Sequence, residues 1–193
     1  MLYASSINKD RSYLDLVLRT DRLSTSSKTY GALSDSSDFS TRGYSASLEY
    51  GKKFALSNPE VYFQPEIQLA YGHLAAKDYT SANGISAKLD ASNSLLGRIG
   101  FKLGKYFDQH RNNVYLKGSL LHYFQGDQQI GLNSGAADSF QYTSSAKGTS
   151  YLVGAGFDVD FTDNSRFYGE VEKSFGGDLK TDWAFQLGLK FMF

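Results

Sequence analysis

Two short acidic stretches are the parts of this chain whose residue types and spacing could support chemistry. Asp158, Asp160 and Asp163 are spaced loosely like the carboxylates of a calcium loop, but the glycine and the distal glutamate of an EF-hand are absent. Glu170 and Glu172 share one face of a strand, where two carboxylates could act as general acid and base. Lysine and arginine are plentiful in neighbouring segments, so we interpret both stretches as turn carboxylates or ion-paired carboxylates.

Motifs for nucleophilic, metal-dependent or phosphate chemistry are absent from the sequence. The chain has no cysteine, which removes disulfides and thiolate metal sites. Its three histidines, His73, His110 and His122, lie in connecting segments or at a strand end without ligand spacing. No Gly-x-Ser-x-Gly elbow, phosphate loop or dinucleotide fingerprint is present. We therefore expect no catalytic residue, no metal and no cofactor.

The elements that carry these residues are predicted to be strands. Apolar and polar side chains alternate along about ten segments that are separated by polar or glycine-rich turns, and no helical period competes. The predicted strands cover residues 13–22, 43–54, 60–72, 85–89, 95–104, 114–124, part of 126–148, 151–161, 167–172 and 183–193. Residues 1–11 are expected to be a lead-in to a single domain that spans residues 1–193. Pro65 cannot donate to a ladder and is expected to mark a bulge.

The last segment has the clearest separation of two faces. One face is wholly apolar and partly aromatic, and it carries Trp183, Phe185, Leu187, Leu189, Phe191 and Phe193. Terminal residues of soluble proteins usually fray into water, whereas the outer face of a membrane barrel meets lipid and places aromatic residues at the interfaces. This segment therefore favours a membrane barrel.

Composition is consistent with that interpretation. The chain has 193 residues with equal numbers of acidic and basic side chains, 20 each, so net charge gives no indication of a nucleic-acid partner. Mean hydropathy is −0.38, and no apolar run approaches the ~18 residues of a transmembrane helix. Barrel strands dilute their hydrophobicity at every second position, and strands near ten residues are longer than the usual five or six of soluble sheets.

Charged residues fall on the face opposite the apolar one. We expect them to face a water-filled lumen and to form cross-strand ion pairs, and they are Asp15, Arg19, Glu49, Glu66, Arg98, Lys102, Lys117, Asp158, Asp160, Glu170, Glu172 and Lys190. A soluble β-sandwich or a soluble ligand-binding barrel would have the same periodicity. We keep such a soluble protein as a third hypothesis, after the two membrane hypotheses given below.

Seven stretches together resemble a known family. They cover residues 49–54, 64–71, 97–104, 114–117, 154–157, 168–172 and 183–193. In order and spacing they resemble the C-terminal translocator domain of autotransporters, the type V secretion proteins of Gram-negative bacteria.

The resemblance implies a fold, a location and partners. It implies an all-β, antiparallel, up-and-down barrel of twelve strands in the outer membrane, with a helix in the lumen and an exported passenger domain. The apolar residues of the last segment, from Trp183 to Phe193, would then contact outer-membrane lipid and also form the signal read by the barrel-assembly machinery. About ten of twelve strands are predicted here, without a lumen helix, a passenger or a signal peptide, so we expect a fragment of a longer protein.

The first hypothesis for function is therefore an outer-membrane translocator and anchor that exports or displays an upstream passenger, and that is not an enzyme. The second is a standalone small outer-membrane barrel acting as a structural protein, adhesin or pore. In that case the predicted loops at residues 24–40 and 135–147 would carry surface recognition.

Overall fold

The computed structural model describes residues 1–31, 34–108, 111–133, 139–162, 164–177 and 182–191. Thirteen strands lie within the described residues: β1 Leu2–Ile7, β2 Ser12–Thr29, β3 Asp35–Lys52, β4 Phe54–Ala55, β5 Val61–Leu74, β6 Lys77–Thr80, β7 Ser86–Leu89, β8 Ser92–Phe107, β9 Asn112–Asn133, β10 Ser139–Ser145, β11 Gly148–Thr162, β12 Ser165–Phe175 and β13 Ala184–Phe191. None of the described residues belongs to a helix long and apolar enough to cross a membrane.

Nine strands form one antiparallel meander in the order β1-β2-β3-β5-β8-β9-β11-β12-β13. Strand β4 continues the alignment of β3 on β5, since Gly51 lies opposite Glu66 and Phe54 lies opposite Phe63. In the described part of the chain, β1 pairs only with β2 and β13 only with β12, so the meander has two free edges.

A second, smaller sheet extends from the meander. We call it the distal sheet; it consists of β6, β7, β10 and residues 127–133 of β9. Strand β7 pairs with one side of β9, from Leu89 opposite Ile130 to Ser86 opposite Asn133. Strand β10 pairs with the other side, so the distal half of β9 is the centre of this sheet.

The two ends of the meander differ in length and construction. At one end the strands are joined by connections of five residues or fewer, between β1 and β2, β4 and β5, β8 and β9, and β11 and β12. In the first of these turns, the Asp10 carboxylate accepts a hydrogen bond at 2.8 Å from the ammonium of Lys52, the last residue of β3. This bond and that from the Ser12 hydroxyl lower the pKa of Asp10 well below its ordinary value. The other end carries the long β2–β3 hairpin and the distal sheet.

Burial in the meander is inverted relative to a soluble protein. On one face, several polar and charged side chains are almost inaccessible, including Glu66 at 4% and Lys117 at 9% exposure. On the opposite face, large apolar side chains are open, including Ile67 at 54%, Leu116 at 62% and Leu187 at 70%. A soluble sheet buries its apolar face, because removing apolar surface from water is the main stabilising contribution to folding. The open face therefore suits a nonpolar surrounding.

Several local expectations differ from the structure. Leu2–Ile7, predicted as lead-in, forms β1. Residues 24–29 and 35–40, predicted as loop, extend the β2–β3 hairpin. The segment 85–89 gives β7 in the distal sheet, and 126–148 gives the end of β9 together with β10, so the meander has nine strands where ten were predicted. Residues 24–29 and 35–40 are rich in serine and threonine, and with few apolar side chains they have no readable period.

Pro65 does not form the predicted bulge. The ladder between β5 and β8 runs through Pro65, opposite Phe101, without a register shift. On the other side Pro65 faces the break between β3 and β4, where the Lys53 N–H donates to the Arg11 carbonyl at 3.0 Å. The missing donor of proline is thus accommodated at a gap in the ladder.

Candidate functional surface

The strand register divides the meander into two surfaces, which we call the polar face and the apolar face. Cross-strand partners share a face, and residues alternate along each strand. By this register the polar face contains the twelve charged residues predicted for the lumen, Asp15, Arg19, Glu49, Glu66, Arg98, Lys102, Lys117, Asp158, Asp160, Glu170, Glu172 and Lys190.

The first cluster on the polar face surrounds Glu66 at the centre of β5. Arg98 of β8 donates to Glu49 of β3 at 2.6 Å and approaches Glu66 Oε1 at 3.5 Å, and Lys102 lies 3.8 Å from Glu66 Oε2. The Tyr13 hydroxyl donates to Glu49 Oε1 at 2.6 Å. Two carboxylates and two cations on three strands, β3, β5 and β8, therefore balance in charge. This balance matters because the Glu66 side chain is only 1% exposed, and an isolated buried carboxylate is costly.

Glycines make room for this cluster. Gly51 and Gly100 lie directly opposite Glu66 on its two neighbouring strands. A Cβ at Gly100 would lie 2.4 Å from Ser119 Oγ and 3.3 Å from Glu66 Oε1. The absence of a side chain at Gly100 leaves space on the polar face for the Glu66 carboxylate, whereas the space above Gly51 holds the Tyr13 ring.

The second cluster surrounds Lys117 of β9. Its Nζ donates to Glu170 Oε1 at 2.6 Å and forms an ion pair with Glu172, both from β12, across the intervening strand β11. The Tyr115 hydroxyl donates to the second oxygen of Glu170 at 2.7 Å. A Cβ at Gly154 of β11 would lie 3.0 Å from Lys117 Cε. Both glutamates are thus hydrogen-bonded or ion-paired, as expected of a structural pair.

Four tyrosines on the polar face fill the space above glycines. In each case the two residues are direct cross-strand partners, and a Cβ on the glycine would lie within 2.4 Å of the tyrosine ring or hydroxyl. The pairs are Tyr13 with Gly51, Tyr62 with Gly104, Tyr115 with Gly156, and Tyr168 with Gly188. Sequence reasoning missed these pairs, because only the register shows which glycine faces which tyrosine.

The aspartates considered for calcium have separate partners. Asn113 donates to Asp158 Oδ2 at 2.8 Å, and Arg166 donates to both oxygens of Asp160 at 2.6 and 3.3 Å. Asp163 lies outside the described residues. No group of three or more potential metal ligands occurs in the described part of the chain.

The remaining charged residues of the predicted set lie apart from these clusters. Asp15 accepts from the Ser5 hydroxyl at 2.6 Å, and Arg19 forms an exposed ion pair with Asp21 at 2.7 Å. Lys190 is on the last strand, directly opposite Arg166. The twelve residues therefore form separate groups along the sheet and do not converge on a single reaction centre.

The histidines do not form a catalytic group in the described residues. His73 Nδ1 lies 2.8 Å from Asn93 Oδ1, and His122 Nδ1 lies 2.8 Å from Thr149 Oγ1. His110 lies outside the described residues. Neither described histidine contacts a serine hydroxyl or a carboxylate, which an activated nucleophile would require.

The last strand forms an edge of the meander. Its large apolar residues, Phe185, Leu187, Leu189 and Phe191, lie on the apolar face and are highly exposed, as is Trp183 just before the strand. Phe193 lies outside the described residues. The Lys173 ammonium of β12 lies 4.9 Å from the centre of the Trp183 ring. One side of this strand is paired, and its other side has no partner among the described residues.

Comparisons with known proteins identify relatives over almost the whole chain. The family model described as "Autotransporter beta-domain" matches residues 1–172. Autotransporter CRAC of Citrobacter rodentium is 28% identical over the full chain, which covers 12% of that protein. The autotransporter adhesin/invasin TibA of Escherichia coli is 27% identical over the full chain, which covers 19% of it. The chain thus spans about a fifth or less of the length of these curated relatives.

A solved structure has the same architecture. The crystal structure of the β-domain of the Bordetella autotransporter BrkA superposes with a TM-score of 0.72 at 26% identity. The match covers 99% of this chain and 71% of the BrkA chain. The meander therefore corresponds to the larger part of a known barrel.

Proposed function

The chain belongs to the autotransporter β-domain family, and on this basis we propose that it exports and displays a passenger carried by the same polypeptide. Members of this family are integral outer-membrane β-barrels of Gram-negative bacteria, which gives the location and fold of this chain. Family and fold are as the sequence predicts.

The inverted burial of the meander is the observation that carries the proposal. An apolar face of exposed leucine, isoleucine and phenylalanine side chains is stable against lipid, and every ladder hydrogen bond within the meander satisfies backbone groups that lipid cannot. We propose that outer-membrane lipid is the partner of the apolar face.

The polar face is proposed to line the lumen. Its carboxylates and cations largely satisfy one another, so the wall offers few unpaired charges to a passing segment. A peptide in extended conformation would therefore meet a wet, weakly selective surface. Export through such a wall needs no catalytic group, and we propose that this chain itself is not an enzyme.

Residues 1–193 are proposed to be a single domain whose barrel is completed by strands outside this chain. A free strand edge in lipid leaves N–H and C=O groups without partners, which costs several kcal/mol per group. The edges at β1 and β13 therefore call for additional strands between them. The coverage of only 71% of the BrkA β-domain supports this account. It also weighs against the standalone barrel.

The last strand is proposed to carry the assembly signal. Its exposed apolar residues lie on a free edge, where a partner can add a strand by backbone pairing while contacting alternate side chains. We propose that the barrel-assembly machinery binds Trp183, Phe185, Leu187, Leu189, Phe191 and Phe193 in this way.

Surface exposure of a tag tests the export proposal. A peptide epitope is placed N-terminal to this chain in the full-length protein, and intact cells are treated with external protease. We expect the tag to be digested while a periplasmic marker remains intact. Heat-modifiable gel mobility reports whether the barrel is folded. A tag that stays protected while the barrel is folded would contradict export.

A further inference from the structure

Two arginines lie opposite each other on the apolar face, toward the end of the meander that carries the long β2–β3 hairpin. Arg22 of β2 is the direct cross-strand partner of Arg42 of β3, and both side chains are exposed. Like charges directly opposite each other on a sheet are destabilising. Charged residues are also rare on a lipid-facing surface unless they reach a polar partner. This pair therefore requires an explanation.

The protein itself supplies little to offset these charges. Arg22 Nη2 donates to the Ser40 hydroxyl at 3.2 Å, and within the described residues neither guanidinium is ion-paired with a carboxylate. Asp38 is on the same face of β3 but four positions from Arg42. Asp21 lies on the polar face, where it pairs with Arg19.

The backbone that carries the pair is held firmly. The Arg42 carbonyl accepts from the Ala75 N–H at 2.9 Å, and the buried Thr41 hydroxyl donates to the Ala75 carbonyl at 2.7 Å. The two guanidinium groups therefore project from a fixed cross-strand position, and only their side chains are free to adjust.

The position of the pair indicates what it binds. On the apolar face, the next cross-strand pair toward the short-turn end is Thr20 with Tyr44, and beyond it the face continues with leucines. Tyrosines mark the boundary between hydrocarbon and headgroups, and arginine side chains reach from that boundary into the headgroups. The long hairpins of outer-membrane barrels lie on the extracellular side, so the arginines lie at the outer leaflet.

We propose that Arg22 and Arg42 together bind a phosphate group on the headgroup of an outer-leaflet lipid. Guanidinium groups bind phosphate bidentately, and one phosphate between two of them removes their mutual repulsion. The Ser40 hydroxyl adds a third donor. The acyl chains of the same lipid lie along the apolar face of β2. The inference rests on the outer-membrane placement of the proposed function but is independent of passenger export.

Retention of a phosphorylated lipid tests the site. The full-length protein is purified, exchanged into phosphatidylcholine nanodiscs containing bisphosphorylated lipid A, and examined for bound lipid by native mass spectrometry. The double variant R22Q/R42Q should retain lipid A about tenfold more weakly, in line with loss of charge-assisted contacts. The matched control is R19Q, which removes an exposed arginine on the opposite, polar face; this variant should retain lipid like the unmodified protein. R42Q alone serves if the double variant assembles poorly.

Two further arms distinguish the source of the phosphate. Dephosphorylated lipid A should not be retained, and millimolar inorganic phosphate should not displace the bisphosphorylated form. Equal retention by R22Q/R42Q and the unmodified protein, or displacement by inorganic phosphate, would overturn the proposal. Heat-modifiable mobility and tag exposure are measured on the same variants, so failure of export is recognised separately.

Discussion

The ring of Tyr62 is confined on every side, which makes its glycine partner sensitive to any added atom. The ring lies 4.9 Å from that of Tyr106, the Lys53 ammonium lies 4.2 Å from its centre, and its hydroxyl donates to Asn113 at 3.1 Å. A Cβ at Gly104 would lie 2.4 Å from its outer ring atoms. We expect Gly104→Ala to destabilise the barrel by about 1–3 kcal/mol through overpacking.

Urea unfolding of the full-length protein in lipid vesicles measures this effect. Gly131→Ala is the matched control, because a Cβ there would meet only the Lys88 carbonyl at 3.9 Å. A midpoint for Gly104→Ala equal to that of the control would show that the ring moves aside freely.

Lys117 is the second side chain whose removal should be costly. It is 7% exposed and forms ion pairs with two carboxylates, of which Glu170 is 17% exposed. We expect Lys117→Met to cost about 2–4 kcal/mol, because it removes the ammonium group that pairs with both acids. Adding Glu170→Gln and Glu172→Gln should restore part of the loss in a mutant cycle.

The control for this cycle is Lys147→Met. This substitution removes the ion pair between Lys147 and Asp127, which is half exposed. Pairs of that kind contribute below about 1 kcal/mol. Equal losses at Lys147 and Lys117, or no recovery in the triple variant, would mean that Lys117 contributes by packing alone.

The cost of a charged substitution in the last strand should depend on which face of the sheet carries it. Leu187 is on the apolar face at 70% exposure and lies opposite Gly169. Placing a charge there against lipid should cost ~2–4 kcal/mol in Leu187→Arg, measured by urea unfolding in vesicles. Gln186→Arg, one residue away on the polar face, should cost much less. Equal midpoints for the two variants would contradict the assigned facing.

Strands with one apolar and one polar face can be predicted from the sequence. The polar segments that lengthen some of these strands cannot. The alternation around Leu14, Leu16 and Leu18 identifies β2, but its distal half is a run of serine and threonine with no apolar side. That half forms a strand because the β2–β3 hairpin continues in register to Thr29 opposite Asp35. Pairing with a neighbour, which a single segment does not reveal, decides such regions.

The charged residues show the same limit. Alternation and the strand register both place Glu66, Arg98 and Lys117 on one face, since parity follows from the strand period. Which acid contacts which base depends on the stagger between strands. Glu66 reaches Arg98 on the adjacent strand, whereas Lys117 reaches across an intervening strand to Glu170. Sequence spacing alone contains no information about either contact.

For the sheet as a whole, we propose that the apolar face meets lipid and the polar face meets water. Its alternation is clear along β5, where Ile67, Leu69 and Tyr71 are exposed and Gln68 and Ala70 are partly covered. The 193 residues contain no cysteine, so single cysteines can be introduced here one at a time.

Nitroxide accessibility along residues 67–71 is the measurement that tests this claim most directly. The full-length protein, free of other cysteines, is spin-labelled at each position in turn and reconstituted in vesicles. We expect high collision rates with oxygen, which dissolves in lipid, at positions 67, 69 and 71, and low rates at positions 68 and 70. A polar nickel chelate should give the opposite alternation. Uniform accessibility along the strand, or alternation of the opposite phase, would contradict a sheet whose apolar face lies in the outer membrane.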